Sequence, residues 1–168
     1  MEESKNHLTI FKYNAILSIL FFLSSTFYMG VRTTNYNFSD YTISGLAHFL
    51  DKDNLSIFNS LFFVKSFLDL SFAYYVFKFY NLRLKTLPAV VLLIAILSFG
   101  LLGFFSVNQF PLIHLIIFII TFFSWISSQY TLAKLTNDEN FVHFSKLLIL
   151  AETIFGNIFL FLNYFNAI

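Results

Sequence analysis

The sequence predicts an all-α fold: a polytopic membrane helical bundle, one domain over residues 1–168, with five transmembrane helices and a short amphipathic outer helix. Three observations carry that reading. Hydrophobic residues make up 58% of the chain and charged residues 11%, against roughly 25% charged in soluble domains, so too few polar groups exist to cover a globular surface. Five apolar stretches approach the roughly 20 helical residues that a bilayer core of about 30 Å requires. The basic residues between those stretches fall mostly in alternate loops.

The spans follow in order. Tyr13–Val31 carries no charge, and neither do Leu87–Val107, with Pro88 near its start, and Phe110–Ala133. A proline in the first helical turn costs little, because its missing N–H would have no helical partner there. Asn54–Phe77 spans with Lys65 and Asp69 inside it, and Leu147–Ile168 spans with Glu152. The first span is expected to be retained, because Thr26-Phe27-Tyr28-Met29 is a poor small-residue cleavage site.

Lys5, Lys12, Lys78, Arg83, Lys85, Lys134 and Lys146 fall on one side of this arrangement, and only Arg32 and Lys52 on the other. The excess predicts a cytoplasmic N-terminus and a C-terminus outside. The 32–53 loop and the turn near Asn108 then face outward. In that loop Ile43, Leu46, Ala47 and Leu50 recur at helical spacing. They predict an amphipathic helix over 40–50, capped by Ser39 or Asp40, lying on the membrane or over the bundle mouth. Two Asn-x-Ser sequons, at Asn37 and Asn54, share this side.

Ionisable groups inside a span are costly unless paired or wet. Lys65 and Asp69 are four apart on one helix face and can pair. Opposite helix directions put Glu152 at a comparable depth, so Lys65, Asp69 and Glu152 are expected to form one buried charge cluster. That cluster is either a packing pin or a proton or cation site. Milder polar stripes mark the faces that should point inward. They are Asn14, Ser18 and Ser25 on the first span, His114, Thr121, Trp125 and Ser128 on the fourth, and Gly156 and Asn163 beside Glu152 on the fifth. Gly100 and Gly103 thin the third span.

Function is less legible than placement. A net charge of +1 gives no basic excess for nucleic acid, and the absence of cysteine excludes disulfides, thiolate metal sites and cysteine nucleophiles. No paired-histidine metal spacing, Gly-x-Ser-x-Gly element or glycine-rich phosphate loop occurs, so no metal and no cofactor is expected. The candidate polar site is at the outer face. Asp40, Ser44 and His48 of the loop are expected to meet His114 at the start of the fourth span, at headgroup depth above apolar helices.

Tyr41-Thr42-Ile43-Ser44-Gly45-Leu46 resembles the T-I-S-x-L-G element that follows the first span in the DUF998 family. That family comprises uncharacterised multi-pass membrane proteins related to the Frag/DRAM/Sfk type. Phe58-Asn59 is similar to the opening of the family's second span. Gly103-Phe104-Phe105-Ser106-Val107-Asn108 with Leu112-Ile113-His114 resembles its G-x-F-P…L-H element. Ser106 stands where the family has proline, the glycine of the first element precedes its leucine, and the family usually has six spans. The resemblance implies an all-helical bundle with the first element and His114 converging at the outer face. It implies no reaction.

Three functions are carried forward. The first is binding or handling of a lipid-like amphiphile at the outer polar site. The second is an intramembrane hydrolase or transferase using His48, His114 and a carboxylate. The third is an accessory subunit of a larger membrane complex. The expected partners are accordingly the lipid bilayer, a lipid-like ligand and other membrane proteins, with no nucleic acid.

Overall fold

The computed structural model describes residues 10–166, with side chains to Ile154. The described residues are helical, with no strand among them. Five long helices follow one another: α1 (Asn14–Arg32), α2 (Lys52–Phe79), α3 (Leu87–Phe104), α4 (Pro111–Ala133) and α5 (Glu139–Asn166). Among the described residues four helices are long and apolar enough to cross a membrane, α1 to α4, the last continued to Thr136. The fifth expected span, Leu147–Ile168, falls on α5, but its side chains beyond Ile154 lie outside the described residues.

Local chemistry sets the helix boundaries. The Asp51 side chain accepts from the Asn54 N–H at 2.8 Å and caps α2. That bond, together with one from the Asn54 side chain, holds the Asp51 carboxyl below its ordinary pKa. Asn81, at φ 51°, closes α2 in the left-handed conformation that asparagine tolerates. The Leu82 N–H then reaches back to the Phe77 carbonyl at 2.9 Å. Pro88 and Pro111 occupy first-turn positions of α3 and α4. Asp138 accepts from the Asn140 and Phe141 N–H groups and starts α5.

Each helix packs on the next: α1 on α2, α2 on α3, α3 on α4, and α4 on α5. α2 and α3 approach closely at two glycines. A Cβ on Gly103 would stand 2.6 Å from the Asn59 carbonyl oxygen, and one on Gly100 3.0 Å from Ser66 Oγ. Glycine at these positions lets the two backbones approach, the usual device where lipid supplies no hydrophobic drive between helices. Ser66 Oγ adds a hydrogen bond to the Ile96 carbonyl at 3.0 Å. Large side chains such as Leu17, Phe67, Leu97 and Phe123 point outward and are exposed. That is a poor surface for water and a fitting one for acyl chains.

The loop after α1 differs from its expected form. In place of an amphipathic α-helix over 40–50 there is a single 3₁₀ turn, Ser44–His48. Its N-cap is Ile43, and neither Ser39 nor Asp40 caps it. The Thr42 hydroxyl accepts from the Gly45 N–H instead, at 2.9 Å. Residues 37–41 are already committed to a separate turn. There the Asp40 and Tyr41 N–H groups bond the Asn37 carbonyl and the Ser39 N–H bonds the Asn37 side chain. The turn stops at Phe49, whose N–H bonds the Leu46 carbonyl, and Asp51 already caps α2. The apolar positions still do what their spacing implied. Leu46 and Ala47 are buried against Phe22, Phe58, Phe62, Leu102 and Ile117, with Ile43 and Leu50 packed at the margin. The Asn108 side chain, in the α3–α4 turn, donates to the Ala47 carbonyl. The loop is thereby latched across one end of the bundle.

Candidate functional site

The polar centre of the bundle is on α2. Lys65 Nζ lies 2.5 Å from Asp69 Oδ2, an i,i+4 ion pair with Lys65 7% and Asp69 2% exposed. Ser18 of α1 donates its hydroxyl to Asp69 Oδ1, so both carboxylate oxygens are satisfied. Asn14, one turn earlier on α1, donates to Ser71 Oγ at 2.5 Å. Asn14 and Ser18 of the first span's polar stripe therefore tie α1 to α2. Removing two charges from water costs several kcal/mol per ion, offset only where the partners are well placed and their remaining bonding groups are satisfied. Asp69 meets that condition. Lys65 has one anionic partner and two aromatic ones: its Nζ stands 4.4 Å from the Phe99 ring centre and 5.1 Å from that of Trp125.

Lys65 also lines a cleft. α1 and α4 do not pack closely on one another, and a cavity of about 330 Å³ lies between them. One wall is Ile19 and Phe22 of α1. The opposite wall is Phe118, Thr121, Phe122 and Trp125, a single face of α4. Phe62 and Lys65 of α2, with Phe99 and Leu102 of α3, form the floor. Ile43 and Ser44 of the latched loop close one end. The Thr121 hydroxyl is used by the Ile117 carbonyl at 2.8 Å, so Lys65 supplies the cleft's charge and Ser44 its free hydroxyl. The lining is thus apolar and aromatic with few polar groups, the usual make-up of a small-molecule site.

The expected three-residue charge cluster does not form. Glu152 is bound by Gln129 of α4, whose Nε2 donates to both carboxylate oxygens at 3.1 and 3.2 Å. The reason is the packing order. α5 lies on α4, so Glu152 meets an α4 side chain, while Trp125 takes the place beside Lys65. Gln129 Oε1 is left buried with no hydrogen-bond partner.

Among the described residues the outer polar set shares no hydrogen bond between its members. Asp40 is exposed and bonded to Asn37 and Ser39 within its own turn. His48 is exposed. Ser44 lines the cleft. His114 is buried, and its Nδ1 lies 2.7 Å from the Phe105 carbonyl oxygen. A carbonyl only accepts, so Nδ1 carries a proton. His114 Nε2 and Ser106 Oγ are both buried at this turn without a hydrogen-bond partner. Among the described residues no group of three His, Cys, Asp or Glu is placed to hold a metal. The Asn54 sequon lies inside the first turn of α2, with its amide bound to Asp51.

Of the cleft lining only Ser44 and Lys65 were legible as site residues in the sequence; Ile19, Phe22, Phe62, Phe99 and the α4 face were not. Thr121 and Trp125 were visible only as members of an inward stripe. Compared with protein-family models, with curated proteins and with solved structures, the chain matches none of them.

Proposed function

We propose that this protein is a small integral membrane bundle that binds a lipid-like amphiphile in the cleft between α1 and α4, entering sideways from the bilayer. The observation that carries the reading is the cleft itself: an aromatic cavity of about 330 Å³ at the joint of two unpacked helices, with a lysine in its floor. That volume is at the small end of the roughly 300–1,000 Å³ typical of ligand sites. It is room for one short chain or one ring system. The site moves inward from the outer histidines to Lys65, because His48 is exposed and His114 is tied to the Phe105 carbonyl.

Five spans, with the N-terminus cytoplasmic and the C-terminus outside, belong to the same proposal. They rest on the alternation of basic loops and on α5 continuing as a helix through Asn166. Kinship with the DUF998 family is also part of it, and rests on the sequence elements around Tyr41, Phe58, Gly103 and His114 alone.

Trp125 is the chain's only tryptophan and lines the cleft, which makes it an internal reporter. In lipid nanodiscs, a brominated single-chain amphiphile should quench Trp125 saturably, and an unbrominated analogue should compete. Thr121→Phe, which fills the cleft without orphaning a buried polar group, should abolish the saturable component. Quenching that rises linearly with probe and is unchanged in Thr121→Phe would mean that Trp125 reports only bulk lipid.

A further inference from the structure

We infer that the cleft selects an uncharged ligand with a hydrogen-bond acceptor at its buried end, such as a long-chain ketone, ester or quinone, in preference to a fatty acid or an amine. This deepens the amphiphile reading and rests on it. Lys65 is the only ionisable residue of the described cleft lining, and its charge is already balanced by Asp69. Asp69 is 2% exposed and does not line the cleft, and Ser18 holds its second oxygen.

Each ligand charge meets this arrangement differently. A cationic headgroup would face the Lys65 ammonium with no accessible anion. A carboxylate would put a second negative charge on one ammonium, and the buried group of three would carry a net charge in a low-dielectric site. A neutral carbonyl adds no charge. It needs only one N–H, and Lys65 has three, of which Asp69 takes one while the Phe99 and Trp125 ring faces are the other neighbours. A ring face is a weaker partner than a carbonyl oxygen, so the exchange favours the ligand. The position of Lys65 near the middle of α2, between Lys52 and Phe79, means that the acceptor is held deep in the bundle. The apolar body then runs along Phe118 and Phe122 toward Ile43 and Ser44.

The test uses the full chain in nanodiscs and four brominated ten-carbon probes: a methyl ketone, a carboxylic acid, a primary amine and the parent alkane, each titrated against Trp125 fluorescence. The ketone should bind at least about tenfold more tightly than the other three, the worth of one hydrogen bond to a charged donor. Its carbonyl stretch should move to lower frequency on binding. Lys65→Met alone leaves Asp69 unpaired and risks the fold, so the companion variant is Lys65→Met with Asp69→Leu, which removes both charges. That variant should bind ketone and alkane equally. If the acid or the amine binds tightest, or if the carbonyl stretch does not move, the selectivity is refuted while the cleft remains a binding site. If no probe quenches saturably, the amphiphile reading fails and the selectivity with it.

Discussion

At the residue scale the structure turns on how Lys65 and Asp69 are kept in an apolar bundle. Their i,i+4 spacing was legible in the sequence, because helix geometry alone puts them on one face. Ser18 as the third partner was half legible, as one member of a stripe on the first span. Glu152 was not, because depth in the bilayer says nothing about which helix lies alongside, and α5 lies on α4. Lys65→Met should destabilise the protein by about 3–5 kcal/mol, the usual loss when one partner of a buried pair is removed. The double variant Lys65→Met/Asp69→Leu should recover most of that loss, since replacing both partners by apolar groups is often neutral. Denaturant titration of the two variants in mixed micelles checks this. Equal stability of Lys65→Met and the parent would mean that the ammonium reaches water.

At the element scale, spans were the easiest feature to read and the loop the hardest. α1, α3 and α4 begin and end within a few residues of the uncharged runs, because length and hydropathy leave little choice in a bilayer. The 40–50 segment kept its apolar contacts but not its helix, because Asn37 captures the preceding residues in a turn of its own. Periodicity reports which residues are buried. It does not report how many residues a competing turn consumes. Gly103 was read as thinning the third span, and its geometry makes that quantitative. Gly103→Ala places a methyl group 2.6 Å from a backbone oxygen that has no freedom to retreat, so α2 and α3 must part. A cost of about 1–3 kcal/mol is expected, as for other overpacked sites. Gly45→Ala, where the nearest atom is the Thr42 hydroxyl at 3.3 Å, should cost less. Thermal unfolding of the two variants in the same detergent gives the comparison. A Gly103→Ala protein as stable as its parent would show that the two helices are not held in this register.

At the scale of the whole molecule, the chain is four apolar helices packed in sequence, with a loop latched over one end and a fifth helix on the outside of α4. Composition alone pointed to membrane-spanning helices, and four helices are long and apolar enough to span, but the cleft was beyond composition. It exists because α1 and α4 each pack on a neighbour and not on each other, a property of the assembled bundle that no single segment encodes. Topology is open to direct measurement. In intact cells, Asn37→Cys should react with a membrane-impermeant maleimide and Arg83→Cys should not, since the chain has no native cysteine to interfere. Labelling of position 83 from outside would invert the proposed orientation.

The cleft is tested most directly by finding where a bound amphiphile sits. A ten-carbon ketone carrying a photoreactive diazirine along its chain, irradiated with the protein in nanodiscs, should crosslink to Ile19, Phe22, Phe118, Phe122 and Trp125, and Thr121→Phe should remove those crosslinks. Labels spread over the exposed Leu17, Leu97 and Phe123, unchanged in Thr121→Phe, would contradict a binding site between α1 and α4.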